Sequence, residues 1–287
     1  MKVQDYKDIK INNINTKKTL HQGSIIWKKG TPISDFPIGT KVIDSDTKYD
    51  GKPIVWIVAD KNHAGYPTNS VTLVMYDVIK DKTFDAFEPK SIDYYRRIAG
   101  NNRYKFSNIL QWLNSDHVNW YKPMHSTDMP PDAGYTEHKP YTNEAGFLTN
   151  FSNNFKNQLL ITSVNVQIPK LDGGGVERIE RKIHLMSPTE LGVFELGYKE
   201  GIRIPELISS EKTFPIFTDN KSRIAGRSYF TTGGDYYFLR TPQEGESCIL
   251  YAIANDGKLW TNSPSNKWYH IRIMCNVKAD ADLFETL

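Results

Sequence analysis

The apolar residues of this 287-residue chain fall into short runs bounded by turn-forming residues. The most continuous run is Pro53–Asp60, PIVWIVAD, which predicts a strand buried on both faces. Val71–Tyr76, VTLVMY, predicts its neighbour. The last quarter of the chain holds three further strand candidates: Tyr236–Arg240, Cys248–Ala254 and Tyr269–Val277. Because no apolar run reaches 18 residues, we expect no transmembrane helix.

Two segments have the residue spacing of helices. Ser107 is a suitable N-cap for a helix over Asn108–Asn114. Apolar residues also recur at helical spacing from about Glu144 to Leu160, and Ser152 in the middle of this segment predicts a break. Together with the strands, these helices predict the α+β fold class.

The first 30 residues differ from the rest of the chain in charge. They contain seven lysines and two aspartates, whereas the whole chain has a formal net charge of only +3. This basic excess is too dilute and too poor in arginine to predict a nucleic-acid partner. Residues 6–28 predict a small β unit that buries little by itself, and no apolar h-region of a secretory signal is present. We therefore expect an attachment segment over residues 1–30 and a compact domain over residues 31–287.

A long irregular segment, residues 115–143, separates the two helical stretches, and loops of this length are uncommon unless they are functional or disordered. Its residues suit sugars, because sugar rings stack on Trp and Tyr while Asn, Asp and His pair with hydroxyl groups. A second loop, Asn262–Trp268, contributes one more ring. The candidate ligand-binding residues are Trp120, Tyr121, His125, Asp128, Tyr135, Tyr141 and Trp268. The alternative is that these rings attach the loop to the core.

The sequence offers little for catalysis. Its two cysteines, Cys248 and Cys275, lie in separate strand-like runs, and we expect both to be buried free thiols. Copper chemistry would require both thiolates to converge on one ion, and no histidine pair has the spacing of a zinc site. We therefore expect no enzymatic activity and no cofactor, with calcium as the one metal left open. Oxygen ligands for calcium would come from Asp116, Asp128, Asp132 or Glu144.

Several segments, in this order, resemble a known domain family. They are PIVWIVAD, RYKFSNILQWLNSD, NWYKPMHSTDMPP, EAGFLTNFSNNFKNQLL, DGGGVERIERKIHLMSPTELG, DYYFLRTP and HIRIMCNV. The resemblance is to a family of unknown function found in phages and prophages of Gram-positive bacteria and in some cell-surface proteins, and it covers roughly residues 39–280. Arg272 keeps the place of the arginine in the family's closing strand, whose glycine and proline are absent here.

The resemblance implies a C-type-lectin-like fold, similar to that of the formylglycine-generating enzymes, preceded by the small N-terminal β unit. It further implies a bacteriophage virion structural protein, made in the cytoplasm of the host bacterium. The expected place is the tail or baseplate, where the domain recognises a host-surface glycan or protein and residues 1–30 contact other virion proteins. Many copies in the particle would supply avidity, and no membrane insertion is expected. The alternatives are capsid decoration on the same fold and a copper oxidase of the formylglycine-generating type, which the cysteine positions disfavour.

Overall fold

The computed structural model describes residues 30–131, 141–197, 212–226 and 233–287, together with four short strands within the first 27 residues. These strands pair as two antiparallel hairpins, β1 (Lys10–Ile11) with β2 (Ile14–Asn15) and β3 (Lys18–His21) with β4 (Ser24–Trp27). Strands are therefore present where the sequence predicts a small β unit. The attachment role of residues 1–30 stays a prediction.

The rest of the described chain contains thirteen more strands and four α-helices. The strands are β5 (Lys41–Tyr49), β6 (Lys52–Lys61), β7 (Ser70–Met75), β8 (Leu159–Leu160), β9 (Thr162–Gln167), β10 (Val176–Arg181), β11 (Ile183–Leu185), β12 (Tyr236–Pro242), β13 (Leu250–Ile253), β14 (Leu259–Asn262), β15 (Tyr269–Ile271), β16 (Ile273–Lys278) and β17 (Glu285–Thr286). The helices are α1 (Tyr94–Ala99), α2 (Asn108–Leu113), α3 (Asn153–Gln158) and α4 (Asn220–Arg223). Among the described residues no helix has the length and apolar character needed to cross a membrane.

The larger sheet is antiparallel and has the strand order β11-β16-β7-β6-β5-β17. β8 also pairs with β16, on the side where β11 lies, so β8 and β11 share one edge of that strand. Between them the chain forms the hairpin β9–β10, which turns at Gly173–Gly175. All three glycines have positive φ angles, a conformation that side chains disfavour.

The smaller sheet has the order β14-β13-β12-β15. Its hairpin β13–β14 turns at Asp256-Gly257, a pair typical of hairpin turns, whereas β12 and β15 run parallel. Only Arg272 separates β15 from β16, so the chain passes from the smaller sheet to the larger one across a single residue.

The predicted α+β, C-type-lectin-like fold is wrong. Two sheets dominate the described chain, and its four helices are at most six residues long, so the fold is β-rich. The predicted helix near residues 144–160 is instead a 3-10 turn at Phe147–Asn150, then α3, then β8. Helical spacing of apolar residues indicates only that one side of a segment is buried. A series of short turns can bury the same residues without a continuous helix.

The buried rings of this segment show how that burial is made. Phe151 and Phe155 contact the fully buried Trp56 of β6, with ring centroids 6.2 and 5.8 Å away. Ser152 breaks the segment as predicted, because its hydroxyl accepts a hydrogen bond of 3.1 Å from the backbone N–H of Phe155. The chain therefore changes direction at Ser152 while its aromatic side chains stay in the core.

Two further local predictions have different outcomes. The helix over Asn108–Leu113 is confirmed, and the Ser107 hydroxyl caps it by accepting from the N–H of Leu110 at 3.3 Å. The neighbouring strands β6 and β7 are also confirmed. Burial of β6 on both faces is wrong, because buried Ile54, Trp56 and Val58 alternate with partly exposed residues. One face of this strand lies in the core and the other borders a cavity.

Candidate functional site

A groove of about 820 Å³ lies beside the C-terminal end of α2. Its walls come from α2, from the loop that follows this helix and from the end of β10. Most of the side chains that line it are polar, among them Gln111, Asn114, Asp116, Asn119, Lys122 and Arg181. We refer to this feature as the loop groove.

Close backbone contacts hold the loop in place. The N–H of Gly146 donates to the carbonyl oxygen of His117 at 2.9 Å, and the N–H of Leu148 donates to the carbonyl oxygen of Ser115 at 3.0 Å. A Cβ atom at Gly146 would lie only 2.3 Å from that same Ser115 oxygen. Glycine is therefore required at position 146 for this close approach.

The amide of Asn114 is fully used within the protein. Its Nδ2 donates to the carbonyl oxygens of Leu110 and Ile183 at 3.1 and 2.9 Å, and its Oδ1 accepts from the N–H groups of Lys182 and Ile183 at 3.1 and 3.0 Å. Asn114 therefore joins the end of α2 to β11 and positions the groove, but its side chain is not available to a ligand.

The amide of Gln111 is only half used. Its Oε1 accepts from the N–H of Lys122 at 3.1 Å. Its Nε2 is buried and has no hydrogen-bond partner in the described part of the chain. A buried donor without a partner costs about 1–3 kcal/mol, so the groove contains a hydrogen-bond donor that a ligand could satisfy. Asp116, Asn119 and Lys122 are exposed around it.

Two of the predicted aromatic residues lie in the core. Trp120 is 4% exposed and Tyr141 is 1% exposed. Their rings stack at a centroid distance of 5.5 Å and an angle of 7°, while the Tyr141 hydroxyl donates to the carbonyl oxygen of Thr83 at 3.1 Å. These rings attach the loop to the core, the alternative considered from the sequence, and leave no ring face for a sugar. Tyr135 lies outside the described residues.

His125 contacts a carboxylate that no sequence pattern indicates, Glu88, and Tyr121 and Asp128 lie near enough to interact with its charge. The Glu88 side chain is buried, and its Oε1 lies 3.0 Å from Nε2 of His125. Its Oε2 accepts from the hydroxyl of Thr127 at 3.0 Å. The loop around residues 124–128 is thus fastened to the body of the domain through Glu88, and no sequence spacing links position 88 to this loop.

Burial and hydrogen bonds shift the pKa values of Glu88, His125 and two nearby aspartates. The pKa of His125 is raised, first by its hydrogen bond to Glu88. Burial raises the pKa of Glu88, but hydrogen bonds from His125 and Asn101 outweigh burial, so the pKa is lowered. Burial raises the pKa of Asp128, and it raises that of Asp85 well above the usual range. The shifts therefore move Glu88 and His125 toward their charged forms, whereas burial moves Asp85 and Asp128 in the direction of their neutral forms.

The expected calcium ligands do not converge in the described structure. Asp128 accepts from the N–H of Met124 at 2.6 Å, and Glu144 pairs with Lys82 at 2.8 Å. Asp132 lies outside the described residues. Within the described ranges, no group of three or more His, Cys, Asp or Glu residues is arranged to hold a metal ion.

Both cysteines are buried free thiols, as expected. Burial raises the pKa of Cys248 to about 11 and raises that of Cys275 further. Since the thiolate is the form that binds metals and attacks substrates, neither side chain is prepared for copper or nucleophilic chemistry.

Trp268 is 57% exposed, and the Lys267 ammonium lies 5.0 Å from its ring centre. The sequence analysis missed a second aromatic surface on α1, where Tyr94 and Tyr95 are exposed and in edge-to-face contact. Arg96, between them and the core, is buried and binds Asp172 with two hydrogen bonds of 2.8 Å. This helix is therefore held by a buried ion pair and turns its aromatic side chains outward.

Comparison with known protein families matches residues 69–279 to one family, described as a domain of unknown function, DUF6273. This match covers well over half of the chain and includes the whole loop groove. It confirms the expected relationship to a family of unknown function, whereas the phage origin stays a prediction. No curated protein and no solved structure matches the chain.

Proposed function

We propose a binding function for this chain, which belongs to the DUF6273 family of domains of unknown function: it is a bacteriophage virion protein that recognises a glycan on the host surface. The phage context rests on the resemblance of segments such as PIVWIVAD and RYKFSNILQWLNSD to phage and prophage domains. The choice of a glycan as the ligand rests on the chemistry of the loop groove.

The observation that carries the glycan proposal is the unpaired donor of Gln111 in the loop groove. A sugar hydroxyl offers both an acceptor and a donor, so it can accept from this Nε2 and donate to a nearby carboxylate or amide oxygen. Asp116 and Asn119 line the same groove and are exposed to solvent. Hydrogen bonds from these groups, rather than stacking on the buried Trp120, would orient the ligand.

The proposal is for binding without catalysis. The carboxylate that comes closest to a catalytic arrangement, Glu88, is buried and occupied by His125, Thr127 and Asn101. The thiols of Cys248 and Cys275 are buried with raised pKa values. An open polar groove with exposed Lys122 and Arg181 suits weak, reversible recognition. Many copies on a particle would turn weak contacts into firm attachment.

The test is retention of the purified chain on cell-wall fractions of the host bacterium. We expect Gln111→Leu to lower retention about tenfold, which corresponds to one lost hydrogen bond, and Lys122→Ala to lower it as well. Gln158→Leu, at the end of α3, is the matched control and should bind like the unchanged protein. Normal retention by folded Gln111→Leu and Lys122→Ala variants would contradict the proposal.

A separate experiment on virions can locate the chain within the particle. Fractionation of virions into heads and tails, followed by detection of the chain with an antibody, should find it with the tails. Detection with the heads would replace the tail assignment by capsid decoration. Removal of residues 1–30 should leave cell-wall binding intact and abolish incorporation into the particle.

A further inference from the structure

A second cavity, of about 910 Å³, lies next to α4, the middle of β6 and the end of β7. Its walls carry both apolar and basic side chains. The lining residues include Ile57, Tyr76, Asp77, Lys80, Lys221 and Arg272. We call it the Arg272 cavity.

Arg272 is 1% exposed and occupies the single position between β15 and β16. Its Nε donates to the carbonyl oxygen of Met75 at 2.9 Å. Its Nη1 lies 3.1 Å from the carbonyl oxygen of Arg223 and 3.3 Å from the hydroxyl of Tyr237. In the described part of the chain the acceptors around this guanidinium are thus two backbone carbonyls and a hydroxyl, and no carboxylate is among them.

A buried charge without a counter-charge is costly, and buried arginines are normally paired with acids. Here the partners of Arg272 are neutral oxygens and the face of the Phe217 ring, 5.5 Å away. Arg223 beside it is also buried and donates to the carbonyl oxygens of Leu191 and Gly192, at 2.8 and 2.9 Å. Among the described residues, two neighbouring arginines thus lack an acidic partner.

The remaining charges of the cavity do not neutralise Arg272. Lys80 lies 3.1 Å from the carboxylate of Asp235, so these two charges offset each other. Asp77 and Lys221 are both exposed on the cavity wall and offset each other in sign. The charge of Arg272 remains, and the cavity therefore favours an anion.

One wall of the cavity is apolar. Tyr76 is half-exposed, and the Lys41 ammonium lies 3.7 Å from its ring centre. Ile57 lines the cavity from the neighbouring strand β6. A ligand that fits both walls carries a negative group toward the arginine and a ring or carbon body toward Tyr76.

We propose that the Arg272 cavity binds a small organic anion, whose carboxylate or phosphate oxygens pair with the guanidinium of Arg272 while its body lies against Tyr76 and Ile57. Arginine suits this role because its planar guanidinium can hold two oxygens of one anion. The site is separate from the loop groove, and it does not depend on the glycan proposal.

The experiment is thermal unfolding of the full chain with glucuronate, glucose 6-phosphate or glucose, at constant ionic strength adjusted with sodium chloride. We expect a saturable rise in Tm of about 5 °C with at least one of the two anions and no rise with glucose. A rise with glucuronate alone identifies a carboxylate as the preferred group, and a rise with glucose 6-phosphate alone identifies a phosphate.

Variants locate the effect. Lys221→Glu changes an exposed residue on the cavity wall and should raise the dissociation constant of the anion at least about fivefold, whereas Lys90→Glu, an exposed change on the α1 side, should not. Arg272→Met should abolish the shift if it folds. The Lys221→Glu result decides the question if Arg272→Met does not fold. Any of three results would overturn the proposal. They are no rise in Tm with either anion, an equal rise with glucose, and an unchanged dissociation constant in Lys221→Glu.

Discussion

Arg240 and Glu190 form a buried ion pair in which Nη1 lies 2.6 Å from Oε2 and Nη2 lies 2.7 Å from Oε1. Arg240 belongs to β12 of the smaller sheet, and its Nη1 also donates to the carbonyl oxygen of Leu185, at the end of β11 in the larger sheet. The hydroxyl of Tyr66 donates to Glu190 from a third direction. The pair therefore joins the two sheets through a fully bonded carboxylate.

We expect Arg240→Met to lower the free energy of unfolding by about 3–5 kcal/mol, because it leaves the Glu190 carboxylate buried without its counter-charge. The double variant Glu190→Leu/Arg240→Met should be less destabilised than Arg240→Met alone, since it removes both charges. Urea unfolding followed by tryptophan fluorescence measures both values. A double variant at least as unstable as the single one would show that the charge is not the cause.

An exposed pair provides the control for this comparison. Arg178 and Glu180 of β10 lie 3.0 Å apart, and both side chains are more than half exposed. We expect Arg178→Met to change the free energy of unfolding by less than about 1 kcal/mol, because solvent screens exposed pairs.

The contact between His125 and Glu88 predicts a dependence on pH. The pKa of His125 is raised by Glu88, so this contribution to stability is complete below the unfolded pKa of histidine and is lost as the pH rises through the folded pKa. The pKa of Glu88 is lowered, so its contribution is present above the unfolded pKa of glutamate and is lost as the pH falls through the folded pKa. The pair should therefore stabilise most between the unfolded pKa of glutamate and the unfolded pKa of histidine.

Measurement of the free energy of unfolding against pH, for the unchanged protein and for His125→Gln, checks this prediction. The difference between the two proteins should decrease at high pH. NMR titration should place the pKa of His125 above the ordinary value of a histidine. A His125 pKa at or below that ordinary value would contradict the structure.

Gly146→Ala should destabilise the domain by about 1–3 kcal/mol, because its Cβ would lie 2.3 Å from the backbone oxygen of Ser115. The matched control is Gly245→Ala, where a Cβ meets nothing within 4 Å. Since the strain falls on the wall of the loop groove, Gly146→Ala should also weaken glycan retention more than Gly245→Ala does. Differential scanning calorimetry measures the first effect, and the cell-wall assay measures the second.

Neither cysteine should react with a thiol reagent in the native protein, because burial raises both pKa values. We expect no labelling by an aromatic disulfide at pH 8 and labelling of two thiols after denaturation. Rapid labelling of the native protein that is lost in the Cys248→Ser variant would show that the chain just before β13 opens to solvent.

The sequence predicted individual elements better than their assembly. Ser107, Ser152 and Asp256-Gly257 act through neighbours within a few residues, so helix cap, break and hairpin turn were all predictable. The parallel pairing of β12 with β15 joins residues some 30 positions apart, and no local pattern encodes it. The helical spacing near Phe147–Leu160 misled the prediction, because burial of aromatic rings does not require a continuous helix.

The candidate site was likewise only partly predictable from the sequence. The sequence identified the loop after α2 as the place to look, and the loop groove lies there. It could not distinguish the buried ring of Trp120 from an exposed one, because both roles use the same residue type. Gln111 was missed because its unpaired Nε2 results from three-dimensional neighbours rather than from residue type or spacing.

The single-residue passage between β15 and β16 leaves no slack between the two sheets. β16 is the strand that β7, β8 and β11 all share, and β15 pairs with β12 at the other side of the passage. Opening either sheet must pull on the other, so the amide protons of Met274 and Phe238 should exchange with solvent at the same free energy and in one cooperative step. The two sheets are thus one thermodynamic unit, and neither is expected to survive as a separately expressed fragment.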